Sequence, residues 1–441
     1  MIKNKHNYFQ ILVFCLYMFI YMTTLATLNT KATGIIDNNV QIILYYVDSF
    51  MVVIGFFLYH LYNQLVKNNK LPLIPCIVFV ALMIMVMVVD VDNLFMIIEP
   101  LLSLFNGLLG GYIYFYMALS LKNNPHMAMI MAIGNSLAMI IQYLIQFILK
   151  ASPTIILIID IVIVLLFIYL RKNFVLDKEE NNNKKEKIKP LYPLIPCLIV
   201  VALTLLNTYF DSVLEIVMVS SDFTEMNAYT WPRLISCLGF ILFGYVHDKY
   251  NGKYDGVIVL AGALISIINP IIISTKTFLT LGMCLFYISM AIEIAYMNIA
   301  FWKVAVNTSK PSLYSGMGRI IDGTTMVVLA LLNISKINLI VIMGIDIVVI
   351  MFIFILMFKD MFVIEEKEID FNLQKIKDKF NLTDREIEVF ELLVNSDDGV
   401  QEIADKLYIS RRTLQRHISS IYHKFDVDSR TGLIRKFYHN S

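Results

Sequence analysis

Charge is scarce in this chain of 441 residues: Asp, Glu, Lys and Arg make up 16% of it, where water-soluble chains carry roughly 25%. Hydrophobic residues make up 58%. A polar surface cannot be built from so few charged groups, and a single apolar core stops growing at a few hundred residues. A set of water-soluble domains is therefore excluded, and lipid becomes part of the solvent. Cysteine is sparse too. The five, Cys15, Cys76, Cys197, Cys237 and Cys284, all lie inside apolar runs, which excludes a disulfide scaffold and reads as reduced packing residues, with no metal or redox site. Eighteen glycines and eleven prolines are too few for a collagen-like chain, and the apolar content excludes disorder. An excess of one charge is missing as well: 36 basic and 35 acidic residues leave a net +1. The total predicts no partner, and the placement of charge carries the information. Absent, finally, are a Gly-rich phosphate loop, a His-x-x-x-His metal pair, a nucleophile elbow and a receiver domain with a phosphorylatable Asp. The expectation is no enzyme, no cofactor and no metal.

What is present is a succession of long apolar runs. A spanning helix needs about 20 mostly apolar residues to cross a hydrocarbon core roughly 30 Å thick. By that ruler there are twelve candidate spans, near 8–29, 39–62, 72–90, 94–121, 127–149, 153–170, 191–219, 229–248, 256–274, 277–302, 313–333 and 337–358. Turn or polar residues separate them, for example Asn123-Asn124-Pro125. With the N-terminus cytoplasmic, sixteen Lys and Arg fall in cytoplasmic segments and four, Lys31, Lys150, Lys276 and Lys336, outside. That bias places both termini in the cytoplasm. No small-residue cleavage site follows the first span, so it reads as a retained helix. The polar stretch 171–190 divides the spans into six and six: 1–170 is the first half, 171–190 a cytoplasmic central loop, and 191–359 the second half.

This six-plus-six pattern with a basic middle loop resembles the major facilitator transporters. Gly244-Tyr245-Val246-His247-Asp248-Lys249-Tyr250-Asn251-Gly252-Lys253 is similar to that family's loop motif, with one extra residue before Gly252, whereas Gly55 to Lys67 in the first half has no Asp. The resemblance covers roughly 1–358 and implies a fold.

Ionisable side chains at bilayer depth are costly unless paired or wetted, so each is a functional candidate. They are Asp48, Asp160, Asp211, Glu215, Arg233, Glu293, Arg319, Asp322 and Asp346. Asp211 and Glu215 are four residues apart, on one helix face toward the outer end of their span, and Arg233 has similar depth. They read either as a polar vestibule that binds a small molecule or as an ion pair joining spans seven and eight. Glu293, Arg319 and Asp322 lie in the inner half and read as a structural network, since Arg319 and Asp322 can pair within one helix.

After Lys359 the composition changes. Residues 360–376 form a charged connector and 377–441 a small soluble all-helical domain. Thr383-Asp384-Arg385-Glu386 is a capping box. It opens a helix whose apolar stripe is Ile387, Phe390, Leu393 and Val394. A second helix, Val400 to Leu407, buries Ile403 and Leu407. Ser410 caps a third, Arg411 to about Lys424, with Leu414, Ile418 and Ile421 inward. A fourth starts near Ser429. Acids crowd 377–405 while bases dominate 406–441, which gives the third and fourth helices a positive patch suited to phosphate. Gln415, Arg416 and Ser419 lie opposite the inward face, where they can meet base edges. Arg411, Arg412 and Thr413 at the helix start and Lys424 at its end can hold phosphate.

Leu382-Thr383-x-Arg385-Glu386, Glu402-Ile403-Ala404-x-x-Leu407, Ile409-Ser410-x-x-Thr413-Leu414-x-x-His417, Ile421, Lys424-Phe425 and Ser429-Arg430 resemble the LuxR-type helix-turn-helix. The resemblance implies a third helix in the major groove of double-stranded DNA and homodimerisation through the fourth, with Leu433 and Phe437 facing a partner. The whole arrangement resembles bacterial twelve-span membrane regulators of LuxR type. It implies an all-α chain in the cytoplasmic membrane, in which a major-facilitator-like domain senses an unknown small molecule and the tail binds DNA. A working transporter with a DNA-binding regulatory tail is the alternative.

Overall fold

Backbone groups in lipid find no water to bond, so a spanning segment must satisfy them within itself; accordingly, every regular element among the described residues is helical. The structure, a computed structural model, describes residues 5–32, 38–66, 70–89, 92–174, 176, 191–220, 231–273, 279–332, 341, 344–345, 347–355, 376–395, 398–430 and 432–433. The chain divides into two compact units, Met1–Met357 and Phe358–Ser441.

In the first unit the helices follow the apolar runs: α1 Lys5–Ala32, α2 Asn38–Val66, α3 Leu73–Val88, α4 Asp92–Ser120, α5 Met127–Tyr143, α6 Pro153–Tyr169, α7 Leu191–Ser220, α8 Ser236–Lys249, α9 Asp255–Ile273, α10 Leu279–Val306, α11 Pro311–Tyr314 and α12 Met317–Leu331. Residues 347–355, within the last expected span, are helical too. Six of the described helices are long and apolar enough to cross a membrane. A π turn, Leu144–Ile148, extends α5. Ser152 caps α6, accepting from the Ile155 amide at 3.4 Å, with Pro153 in the first turn where its missing N–H costs nothing.

Two close approaches fix the frame. The α2–α4 seam is closed by Gly55 and Gly107: a Cβ on Gly55 would stand 2.1 Å from Leu104 O, and one on Gly107 2.1 Å from Val52 O. Gly244 of α8 similarly faces Ala128 and Ala132 of α5, where a Cβ would meet the Ala132 methyl at 2.9 Å. This second seam brings Asp248 to the start of α5, where its carboxylate accepts from the amides of Ala128 at 3.1 Å and Met129 at 2.9 Å. Those N–H groups have no partner within the helix, and an acidic group there also complements the helix dipole. Asp248 in the family-like loop motif thus ties the second half to the first.

The second unit contains α13 Asp384–Asn395, α14 Val400–Lys406 and α15 Arg411–Phe425. Its core gathers Val389, Phe390, Leu393, Ile403, Ala404, Leu414, Ile421 and Phe425. Phe425 stacks between Phe380 at 4.0 Å and Phe390 at 5.1 Å. The capping box is formed: the Thr383 amide donates to Glu386 Oε2 at 2.8 Å and the Glu386 amide to Thr383 Oγ1 at 3.3 Å. Two details differ from the expected stripes. Val389 is fully buried while Ile387 and Val394 are half-buried, and α14 buries Ala404 while Leu407 is half-buried beyond its end. A helix embraced from two sides buries more than one stripe.

Candidate ligand cluster and DNA-facing helix

Within the first unit, polar side chains from five helices converge. Arg319 of α12 donates through Nε to the Tyr114 hydroxyl of α4 at 3.0 Å. Its guanidinium lies 5.3 Å from the centre of the Tyr21 ring of α1, a cation–π distance. The expected pairing within α12 is present, with Arg319 Nη1 3.6 Å from Asp322 Oδ2. From α7, Thr204 Oγ1 reaches Glu293 Oε1 at 3.0 Å and Asp322 Oδ1 at 3.1 Å, and Asn207 Nδ2 donates to Glu293 Oε2. Glu293, on α10, is buried. Packing holds the Tyr114 ring, with Phe56 edge-on at 5.3 Å and Trp302 at 5.8 Å.

Hydrogen counting shows what the cluster can do. The Thr204 hydroxyl has one hydrogen yet faces two carboxyl groups. Arg319 brings one positive charge to Glu293 and Asp322. Two carboxyl groups share one guanidinium and one hydroxyl hydrogen, so the cluster suits a molecule that supplies N–H or O–H groups to them.

Glu293, Arg319 and Asp322 join α10 and α12 as the sequence suggests, but their network extends to α1, α4 and α7. Tyr21, Tyr114, Thr204 and Asn207 give no such signal in the sequence, because tyrosine is abundant in the spans and neutral polar residues pass the burial test for ionisable groups. Only the three-residue spacing of Thr204 and Asn207, which puts them on one face, could mark them. Buried Glu99 also escapes the list of ionisable groups; it lies against buried Asp48. Of the expected vestibule, Asp211 and Glu215 fall within α7, their side chains outside the described residues. Arg233 lies in the short 3-10 turn Trp231–Ile235 before α8, half-buried and within electrostatic reach of the Tyr21 phenol.

In the second unit Ser410 caps α15, accepting from the Thr413 amide at 3.1 Å. Arg411, Arg412, Thr413, Gln415, Arg416 and Ser419 are all exposed, and Leu414 and Ile421 face inward. The helix thus offers one apolar side to its core and one cationic side to water. Lys424 is directed elsewhere: its ammonium lies 2.6 Å from Glu386 Oε2 and 2.7 Å from Asn381 O. Ser420 adds a 2.5 Å hydrogen bond to Glu386 Oε1. Burial pushes the Glu386 carboxyl up, but the hydrogen bonds from Lys424, Ser420 and Thr383 outweigh it and bring its pKa down to about 2. Arg430 bridges the last turn of α13 and the segment beyond it, reaching Leu393 O at 2.8 Å and Asp398 O at 2.6 Å, and so holds the turn before α14. Leu433 requires a correction. Expected at a dimer surface, it is fully buried in the core of its own unit, on a helical turn whose Leu433 amide bonds Ser429 O. Phe437 lies outside the described residues.

Comparison with known proteins separates the two units. Over the first, the chain is similar to the crystal structure of a point mutant of the nucleoside transporter NupG, with a TM-score of 0.50 and 15% identity, covering 79% of this chain and 99% of that one. At that identity the likeness is one of fold, a helical membrane transporter fold. Over the second, 53 residues are 47% identical to the spore germination protein GerE of Bacillus subtilis (strain 168), 12% of this chain and 70% of that protein. The family model described as bacterial regulatory proteins, luxR family, matches residues 380–437, and through this domain the chain belongs to that family.

Proposed function

We propose that the protein is a one-component transcription regulator of the cytoplasmic membrane, in which the first unit binds a small polar molecule and the second binds promoter DNA. The observation that carries the ligand reading is the bond from Arg319 of α12 to Tyr114 of α4. It joins the two six-span halves at a cluster of buried polar groups, and folds of this kind change state by rocking one half against the other around such a site. A ligand biases that equilibrium only by its differential affinity for the two states. Donors that complement Glu293, Asp322 and Thr204 supply such a difference, and Arg233, with Asp211 and Glu215 farther along α7, guards the approach.

On DNA, the exposed row of Gln415, Arg416 and Ser419 reads bases while Arg411, Arg412 and Thr413 hold phosphate. Two copies bind together, through a surface that excludes Leu433. Both termini are cytoplasmic, in keeping with the placement of Lys and Arg. Crosslinking of the full-length protein to the genome tests the regulator: discrete occupied sites that are lost in Arg416→Ala support it, and their absence overturns it. A second reading rests on the transporter-like fold of the first unit: a working carrier with a regulatory tail. Uptake of candidate compounds by cells carrying a chain without residues 377–441 would establish that activity.

A further inference from the structure

Asp160 lies in the middle of α6 and is fully buried. Its helix packs against α1 and α3 and leads into the turn Leu170–Asn173. On α1 it meets Thr23 and Thr24; the ionisable groups of α1 are Lys5, His6, Tyr8, Cys15, Tyr17, Tyr21 and Lys31, and the Lys31 ammonium is bound to Val86 O at 2.6 Å. The only ionisable side chain on α3 is Cys76. The turn carries Arg171, which donates to Leu71 O at 2.9 Å, and Lys172, at the far end of α6. Among the described residues, no cationic side chain pairs with Asp160.

The hydrogens around it can be counted. Thr23 Oγ1 stands 2.7 Å from Phe19 O, 2.9 Å from Asp160 Oδ1, 3.1 Å from Asp160 Oδ2 and 3.3 Å from Ile20 O. A hydroxyl has one hydrogen to give and lone pairs to receive. Directed along the shortest contact, that hydrogen goes to Phe19 O, which leaves the Thr23 lone pairs facing the Asp160 oxygens. Such a contact is favourable only with a further hydrogen between them. A proton on Asp160 Oδ1 supplies it: Asp160 donates to Thr23, Thr23 donates to Phe19 O, and Thr24 Oγ1 donates to Asp160 Oδ2 at 3.4 Å. The chain of donors then closes without a bare charge. A metal cation fits less well, because oxygens about 2.4 Å from a hard cation stand roughly 3.4 Å apart from one another, whereas the contacts of 2.9 and 3.1 Å are hydrogen-bond spacings.

We propose that Asp160, Thr23 and Thr24 form a proton-binding site on the α1–α6 seam, and that this structure is its proton-loaded form. Thr27, one turn farther along α1, is buried with its hydroxyl unbonded, and it links the site toward the end of the helix. Asp160 is seven residues from Pro153, roughly 10 Å of helix, so the proton exchanges with the aqueous phase on that side. The ring of Tyr21, two residues before Thr23, carries the Arg319 guanidinium. Proton loading of Asp160, through its bond to Thr23 of α1, therefore sets the position of one wall of the ligand cluster.

The test is infrared difference spectroscopy of the full-length protein in lipid nanodiscs, with pH and sodium varied separately. The expected result is a carbonyl stretch of a protonated carboxyl group that shifts in D2O, disappears at high pH and is missing from Asp160→Asn. That variant is expected to keep the fold, because its amide NH2 can donate to Thr23 as the acid does, and thermal melting of the same nanodiscs checks this. A band unchanged in folded Asp160→Asn, or one that responds to sodium and not to pH, overturns the proposal. Should Asp160→Asn fail to fold, Thr23→Val and Thr23→Ser decide: the band must shift in the first and persist in the second. None of these outcomes depends on the DNA-binding reading.

Discussion

The Lys424 ammonium stands 2.6 Å from Glu386 Oε2, joining the end of the DNA-facing helix to the start of the helix that opens its domain. Ser420 and the Thr383 amide bind the same carboxylate. Glu386 thus serves at once as the return arm of a capping box and as the anchor of α15. The anchor sets the angle at which Arg411 to Ser419 are presented to water.

A depressed carboxyl gives a definite pH dependence. The pKa of Glu386 falls to about 2 in the folded domain, against about 4.3 in an unfolded chain. Its stabilisation is therefore complete above the unfolded value and is lost as pH falls through the folded one. Glu386→Gln is expected to lower domain stability by about 1–2 kcal/mol at neutral pH, the scale of a charge-assisted hydrogen bond, and to flatten the acid limb. Urea melts of the full-length protein, followed by a probe in the second unit at several pH values, measure both.

The exposed face of α15 divides by role. Arg416→Ala removes a side chain able to bind guanine edges and is expected to relax preference at one base position, at a cost of about 1–3 kcal/mol. Arg411→Ala, at the capped end, should weaken all sequences alike and reduce the salt slope by about one. Binding to a randomised site library at two salt concentrations distinguishes them. Equal loss of preference in both variants would show that α15 docks in a different register.

A substitution at Tyr114 tests the proposed ligand sensing apart from folding. Tyr114→Phe keeps the ring between Phe56 and Trp302 but deletes the hydroxyl that receives Arg319. Protein amount in the membrane should be unchanged, and the ligand concentration for half response should move about tenfold or more, as expected for about 1.4 kcal/mol at a charged hydrogen bond. A reporter driven by a mapped promoter gives the number.

The legible parts of this protein are those written by periodicity and composition. Eleven of the twelve apolar runs foretold the helices from Lys5 to Leu331, and Thr383 with Glu386 and Ser410 with Thr413 announced two helix starts that the structure shows bond by bond. The buried polar cluster was only half legible. Arg319, Asp322 and Glu293 stand out because charge in a span is strongly disfavoured, whereas Thr204, Asn207 and Tyr114 are tolerated anywhere and reveal themselves only when five helices meet. Leu433 shows the opposite error: a leucine in a terminal helix suits a dimer surface and a core equally, and only packing decides.

Asp248 provides the last prediction. Its two carboxylate oxygens accept from the amides of Ala128 and Met129, and nothing else at that end of α5 satisfies those donors as well, since they belong to the first turn of the helix. The bond crosses from the second half to the first, so under the proposed rocking mechanism it favours the state that the structure represents. Removing it should shift the resting population without touching the ligand cluster. Asp248→Ala loses both hydrogen bonds and a charge facing a helix N-terminus, about 1–2 kcal/mol together, which is roughly a tenfold change in the ratio of the two states. Asp248→Asn retains one acceptor oxygen and should shift the ratio less. Reporter output without ligand, set beside output at saturating ligand, reads the shift: basal output should move toward one extreme while the saturated level stays put. An equal fall in both, with protein still in the membrane, would mean that Asp248 supports the DNA-bound form by another route than the seam between α5 and α8.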